Sequence, residues 1–189
     1  MSQTHVPGVS ISVINNSKIE WTKGYGLLRN GTGRFVQSDS IFQACSVSKM
    51  VTASIVLHFV QKGILNLDQD VNTYLKSCKI PENELTIERN VSLRQLLSHQ
   101  AGINRPDGGF EWDKNQAPTL INILNGHYPA QVQSAHVEYV PGTNWQYSNM
   151  GYLIIQLILE EVLQKSFIQL AQEIVFTSLA MADSTFDYP

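Results

Sequence analysis

A serine and a lysine three positions apart, Ser46 and Lys49, stand at the start of an apolar segment. In a helix this spacing places both side chains on one face, about one turn apart. A neutral lysine amine at that distance can take the serine's proton and make the hydroxyl a nucleophile. The lysine pKa must then fall from about 10.4 by roughly 3 units, which a buried site with cationic or dipolar neighbours can supply. The same spacing is also typical of a helix cap followed by a solvated lysine.

The segment that carries this pair is apolar on nearly every side. Between Val47 and Val60 the apolar residues cover almost the whole circumference of a helix, which predicts a helix buried on most sides. A serine at the head of such a helix has little use as a surface cap, so we expect Ser46 to lie where a cleft can reach it. Its backbone N–H, at the helix N-terminus, could bind a developing oxyanion. Cys45 is expected to behave as a small hydrophobe, although a bridge to Cys78 stays open.

The overall composition is that of an ordinary globular protein. The chain has 189 residues, of which 43% are hydrophobic and 15% charged, and its net charge is -3. It is long enough for a hydrophobic core in one or two domains, and it has no basic run that would suggest a nucleic-acid partner. The five histidines and two cysteines form no cluster with metal-ligand spacing. We therefore expect no metal ion and no cofactor.

No targeting or membrane segment is visible in the sequence. The N-terminus lacks a basic region followed by an apolar run, so it does not match a secretory signal. The most apolar stretch, residues 152–163, is interrupted by polar residues and is too short to span a bilayer. We expect the chain as given to be soluble and to have no transmembrane segment.

The remaining pattern predicts a hairpin followed by helices. Alternating residues from Val9, a turn at residues 15–18 and a second alternating run predict a β-hairpin over residues 9–27. Residues 102–117 are rich in glycine and proline and lack periodicity, which predicts a long functional loop. Helices are predicted at residues 71–75, 92–98, 119–124, after Asn149 and at 167–177.

Several motifs in a fixed order resemble those of one known family. Ser46-Val47-Ser48-Lys49 is similar to the Ser-x-x-Lys element of the serine β-lactamase and penicillin-binding protein superfamily. Residues 147–149, Tyr-Ser-Asn, lie 101 positions after the serine and match its Tyr-x-Asn element. Residues 96–103 resemble its helix-to-loop marker, and residues 6–26 resemble its first hairpin. The resemblance is strongest to the branch of class C β-lactamases, D-Ala-D-Ala carboxypeptidases and related esterases.

The resemblance implies a role for each matching residue. Ser46 would be the acylated nucleophile, and Lys49 would hold or relay its proton. Tyr147 would share the general-base work and protonate the leaving group; the alternative is a core aromatic with a satisfied hydroxyl. Asn149 would hydrogen-bond the substrate's amide or the lysine.

Three further side chains are candidates for supporting roles. Trp112 and Trp145 could bind the substrate by lining an acyl-group pocket, and packing is the alternative for both. His99, in the helix-to-loop marker, is expected to be a buried, hydrogen-bonded structural residue rather than a base.

The resemblance also implies a fold and its boundaries. We expect a truncated α+β, β-lactamase/transpeptidase-like fold with an N-terminal β-hairpin, a buried nucleophile helix and a mostly helical domain. The family carries a third element, Lys-Thr-Gly or His-x-Gly in type, on a later strand, and this sequence contains neither. We therefore expect the C-terminal sheet strands to be lacking. The expected divisions are a partial sheet portion with the nucleophile helix over 1–62, a helical domain over 63–175 and a return segment over 176–189.

The expected function is that of a serine hydrolase acting through an acyl-enzyme on Ser46. The substrate class stays open among β-lactams, D-Ala-D-Ala peptides and esters, and activity is expected to be impaired. A penicillin-acylated sensor or peptidoglycan-binding module and an inactive truncated pseudoenzyme are the alternatives. Expected partners are a small-molecule or peptidoglycan-like substrate, and either a second copy or the missing C-terminal half. The family is often exported, so a periplasmic and a cytoplasmic location both stay open.

Overall fold

The structure is a computed structural model that describes residues 6–106 and 115–187. Its architecture is α+β, with a two-stranded antiparallel sheet and several helices. The chain forms two compact units, Met1–Cys45 and Ser46–Pro189. The division at residues 62 and 175 that the sequence suggests therefore stays a prediction about domain organisation.

The first unit contains the predicted hairpin. Strand β1, Gly8–Asn15, pairs with β2, Lys18–Gly26, in an antiparallel register with one irregularity between Val13 and Ile14. Asn16 and Ser17 connect the strands with φ of 48° and 59°, the left-handed conformation that tight two-residue hairpin turns require. The turn chemistry of this polar segment thus sets the register of the two strands.

The second unit is helical and is built around one long helix. Its α-helices are α1 (Ser48–Gln61), α2 (Glu84–Glu88), α3 (Leu93–Leu97), α4 (Leu120–Asn125), α5 (Asn149–Leu163) and α6 (Phe167–Ala171), and a π-helical turn, Gln172–Phe176, follows α6. Helix α5 contacts α1, α3, α4 and α6. Its residues Ile154, Ile155 and Ile158 are at most 2% exposed, so they form the centre of the core. None of the helices within 6–106 and 115–187 has the length and apolarity that crossing a bilayer requires.

Local capping fixes several of the predicted helix ends. Ser92 caps α3 by accepting a hydrogen bond from the Gln95 backbone N–H, and Gly126 ends α4 with a φ of 64°. Helix α2 was not predicted, because its sequence shows no apolar period at helical spacing. It begins instead with a capping box, in which Asn83 and Thr86 each bond the other's backbone.

The expectation that α1 is buried on most sides is wrong. Its buried face carries Ile55, Val56 and Phe59, but Met50 is 71% exposed and Leu57 is 50% exposed on the opposite face. An apolar circumference shows that each face could be packed, and the described residues cover only one of them. Cys45 is likewise exposed rather than packed as a hydrophobe, and both cysteines are free.

A single carboxylate ties the loop after residue 75 to α5. Glu161 accepts hydrogen bonds from the backbone N–H groups of Lys76 at 2.5 Å and Ser77 at 2.9 Å, and from the Ser77 hydroxyl. Burial raises the pKa of the Glu161 carboxyl, but these hydrogen bonds outweigh burial and bring that pKa below its usual value. The folded chain therefore holds this carboxyl in its charged form.

We expect Glu161→Gln to lower the free energy of unfolding by about 1.5–3 kcal/mol at pH 7, because a glutamine offers one neutral acceptor where three donors converge. The wild-type contribution is fully present above the unfolded carboxyl pKa of about 4.3 and is lost as the pH falls through the lowered folded pKa. Urea titrations between pH 7 and pH 2.5 should therefore show the two proteins converging in acid. In the control Glu173→Gln, which breaks the exposed pair with Lys165, we expect a loss of at most about 1 kcal/mol. Equal losses of unfolding free energy in Glu161→Gln and Glu173→Gln would contradict the stabilising role assigned to the hydrogen bonds of Glu161.

Candidate active site

The N-terminus of α5 positions two of the predicted site residues. Ser148, which is 4% exposed, is the N-cap: its Oγ accepts from the Gly151 N–H at 3.2 Å and donates to the Asn104 carbonyl at 2.9 Å. Tyr147 and Asn149 flank this fixed serine, so their backbone positions are set by the cap and by the buried helix behind it. Both side chains are half-buried.

The start of α1 positions the other two predicted site residues, Ser46 and Lys49. Ser46 lies in a 3-10 turn, Cys45–Val47, and Lys49 lies in the first turn of α1. Ser46 is exposed and Lys49 is half-buried, so the nucleophile candidate is accessible and the expectation that a cleft reaches it stays a prediction. The contact of α1 with α5 in the core brings this turn to the N-terminus of α5.

These four side chains form one hydrogen-bonded group. The Ser46 Oγ lies 2.6 Å from the Tyr147 hydroxyl and 3.2 Å from the Lys49 Nζ. The Lys49 Nζ also donates to the Asn149 Oδ1 at 2.7 Å and lies 4.8 Å from the centre of the Tyr147 ring. The serine hydroxyl thus contacts both groups that could receive its proton, and Asn149 holds the amine in place between them.

The electrostatics of the group make the Tyr147 phenol easier to deprotonate. Burial raises the pKa of Tyr147, but the hydrogen bonds to Lys49 and Ser46, together with the positive charges of Lys49 and Arg105, outweigh burial and lower it. A phenol with a lowered pKa is charged more of the time at neutral pH and is therefore a more available base.

The His99 ring packs against the Tyr147 ring. Its Nδ1 accepts a hydrogen bond from the Ser148 N–H at 3.2 Å, and its ring centre lies 4.4 Å from that of Tyr147. Burial, helped by the nearby Lys49 charge, lowers the pKa of His99, which favours the neutral ring that this accepted bond requires. The ring is half-buried and hydrogen-bonded, in agreement with the structural role expected of it.

The two tryptophans are placed differently. Trp145 is 66% exposed, and its ring meets the His99 ring edge-on with centres 6.2 Å apart. Trp145 therefore lies at the border of the group, next to the His99 ring. Trp112 lies outside the described residues, so its role as a substrate-binding residue stays a prediction.

One residue near the group was missed by the sequence analysis. The Arg105 guanidinium carbon lies 5.9 Å from the centre of the Tyr147 ring. Its position two residues after the helix-to-loop marker, which ends at Ile103, was the available signal. A single basic residue in a polar loop is usually solvated, so only the fold reveals that it faces the tyrosine.

Comparison with known proteins gives the family that this chain matches. The Beta-lactamase family model matches residues 1–189. The chain is 29% identical over 183 residues to penicillin-binding protein 4 of Amycolatopsis lactamdurans, covering 97% of this chain and 45% of that protein. The chain thus spans less than half the length of this relative.

Solved structures share the fold. The octameric penicillin-binding protein homologue from Pyrococcus abyssi is 25% identical with a TM-score of 0.72, over 96% of this chain and 41% of that one. The β-lactamase/D-alanine carboxypeptidase from Yersinia pestis, complexed with citrate, is 22% identical with a TM-score of 0.76, over 97% and 51%. In both, the similarity covers nearly all of this chain and about half or less of the other.

Proposed function

The chain belongs to the beta-lactamase family, and we propose that it is a serine hydrolase that acts through an acyl-enzyme on Ser46. The observation that carries this proposal is the position of one hydroxyl, which lies 2.6 Å from a phenol and 3.2 Å from an amine. Family membership alone does not settle activity, because one fold can host active and inactive members.

In the proposed reaction Ser46 Oγ attacks the substrate carbonyl carbon, and its proton passes to the Tyr147 phenolate, with Lys49 as the alternative acceptor when its amine is neutral. The carbonyl oxygen becomes an oxyanion, for which the Ser46 backbone N–H is a candidate donor, since the first N–H groups of a helix have no partner within it. The tetrahedral intermediate then expels the leaving nitrogen or oxygen, which takes a proton from Tyr147. Attack by water on the resulting ester releases the acid and restores the serine.

The substrate classes we propose are β-lactams, D-Ala-D-Ala peptides and esters, which all present a carbonyl with a departing nitrogen or oxygen. The names of the similar proteins, a penicillin-binding protein and a β-lactamase/D-alanine carboxypeptidase, support the first two classes. Asn149, held 2.7 Å from Lys49, is the side chain we expect to bind the substrate's amide. Trp145 and Trp112 are proposed to border the acyl group.

We propose that the 189-residue chain by itself acylates slowly. Its sequence contains no Lys-Thr-Gly or His-x-Gly element, which the resemblance assigns to the strand that supplies the second oxyanion N–H and binds the substrate carboxylate. Loss of one oxyanion donor costs about 3–4 kcal/mol, or about 10²–10³ in rate. The activity of the chain should therefore fall well below that of a relative that contains this strand.

Exposed apolar side chains support the proposal that the chain binds a partner. Two strands alone are marginally stable, and Ile14 and Ile19 of the hairpin are 67% and 69% exposed. In the second unit Met50 of α1 is 71% exposed. We propose that such surfaces are covered by a second copy of the chain, with which the octameric Pyrococcus abyssi homologue is compatible.

The function is tested by incubating the chain with a fluorescent penicillin, a chromogenic cephalosporin and a 4-nitrophenyl ester, followed by intact mass measurement and peptide mapping. We expect an adduct on Ser46 that forms slowly and is then released. A stable adduct without release would favour a penicillin-acylated sensor. No adduct on a chain that folds by circular dichroism would contradict the hydrolase and favour a pseudoenzyme.

A further inference from the structure

Arg105 follows Asn104, a buried residue whose backbone and side chain are both hydrogen-bonded. Asn104 is 2% exposed; its N–H donates to the His136 carbonyl at 3.0 Å, and its amide donates to the Ser134 carbonyl at 3.1 Å. The Asn104 carbonyl accepts the Ser148 hydroxyl at 2.9 Å. The backbone that carries Arg105 is therefore bound directly to the helix cap between Tyr147 and Asn149, and the side chain starts from a fixed point beside Tyr147.

The Arg105 cation has no carboxylate partner within residues 6–106 and 115–187. The ion pairs there join other residues: Arg94 with Asp68, His136 with Glu138, and Lys165 with Glu173. The side chain is exposed, and its guanidinium carbon lies 5.9 Å from the Tyr147 ring centre. With Lys49 on the same ring at 4.8 Å, two positive charges border the tyrosine, although the whole chain carries a net charge of -3.

We propose that Arg105 is a specificity-determining residue that binds an anionic group of the substrate, a carboxylate in the first instance, beside Tyr147. The inference rests on the proposed function and deepens it by naming the charge of the preferred substrate. A guanidinium is the side chain best suited to this task, because its planar fork can donate two parallel hydrogen bonds to one carboxylate. A hydrogen-bonded charge close to the reacting atoms orients the substrate as well as binding it.

A simpler role for Arg105 would be to act on Tyr147 alone. Its positive charge is among the causes that lower the phenol pKa. A purely electrostatic effect on the base would change the acylation rate of neutral and anionic substrates by the same factor. An anion-binding role changes the ratio between them, and this ratio is the quantity to measure.

The test uses three 4-nitrophenyl-type esters with the full chain. 4-Nitrophenyl hexanoate is neutral, mono-4-nitrophenyl adipate carries a carboxylate on the acyl chain, and 3-carboxy-4-nitrophenyl hexanoate carries one on the leaving group. Second-order rate constants for acylation of Ser46 are measured by release of the nitrophenol and by mass. We expect wild type to prefer at least one anionic ester, and Arg105→Gln to reduce that preference by about tenfold or more, the range for a charge-assisted hydrogen bond.

Two matched variants complete the design. Arg105→Lys keeps the charge but loses the fork, so it should retain part of the preference. Arg94→Gln also removes one positive charge, but from an exposed pair with Asp68, and it should leave the ratio unchanged. An unchanged ratio in Arg105→Gln, with the neutral ester still acylating Ser46, would overturn the inference and leave the proposed function intact. Failure of all three esters, and of a fluorescent penicillin, to acylate wild type would overturn both.

Discussion

Alanine at position 46 is expected to abolish formation of any acyl adduct, both with a fluorescent penicillin and with a 4-nitrophenyl ester. The physical reason is that the hydroxyl of Ser46 is the group that both Tyr147 and Lys49 contact, at 2.6 Å and 3.2 Å. Without its oxygen the phenol and the amine have no nucleophile to deprotonate. Intact mass after prolonged incubation measures the loss directly, because a single acyl group changes the mass of the chain.

The matched control is Ser54→Ala, on the same helix. The Ser54 hydroxyl is exposed and donates to the Met50 carbonyl, a bond within α1 that involves none of the four site residues. This variant should acylate at the wild-type rate and unfold at nearly the wild-type urea concentration. An adduct that persists in Ser46→Ala would show that another side chain is acylated, and the assignment of the nucleophile would have to be withdrawn.

The sequence could predict which residues meet because two motifs carried the information. Ser46 and Lys49 are neighbours through helical spacing, which is local physics. Tyr147 lies 101 positions from Ser46, and no periodicity connects the two; the resemblance to a family supplied that link. The structure brings them together through the packing of α1 on α5, whose apolar residues were visible in the sequence although their partners were not.

The features that escaped prediction are those that depend on what covers a surface. Met50 and Leu57 lie in an apolar pattern that suggested burial, yet both are exposed, because a pattern does not say whether a partner element is present. Arg105 escaped prediction for a related reason. Its position beside Tyr147 depends on the hydrogen bond from the Ser148 hydroxyl to the Asn104 carbonyl, which joins residues 44 positions apart. Helix ends, in contrast, were predictable where capping residues such as Ser92 act within one turn.

Charge around the nucleophile gives the site its proposed chemistry. An exposed serine is an ordinary alcohol, and in this chain it is distinguished by its neighbours rather than by burial. The cations of Lys49 and Arg105 both stabilise the ionised form of Tyr147, the group closest to the serine oxygen. The tyrosine is therefore where the electrostatics of the site should be most visible in a measurement.

Phenylalanine at position 147 is expected to lower the second-order rate constant for Ser46 acylation by about 10²–10⁴, the usual contribution of a positioned general base. It should also change the pH dependence. In wild type the rate should rise as pH increases through the lowered pKa of Tyr147 and level off above it, so the rise falls below the usual tyrosine value of about 10. The variant should lack this rise. Acylation rates from pH 5 to pH 10, followed with 4-nitrophenyl hexanoate and corrected for spontaneous hydrolysis, provide the measurement.

The control for this prediction is Tyr74→Phe, since that hydroxyl bonds to Asn66 and Gln69 and contacts none of the four site residues. It should keep both the wild-type rate and the wild-type pH profile, whereas a loss of stability common to both variants would appear in their urea midpoints. If Tyr147→Phe acylates as fast as wild type and keeps the same rise with pH, the phenol is a spectator. Lys49, 3.2 Å from the serine oxygen, would then have to be the base by itself.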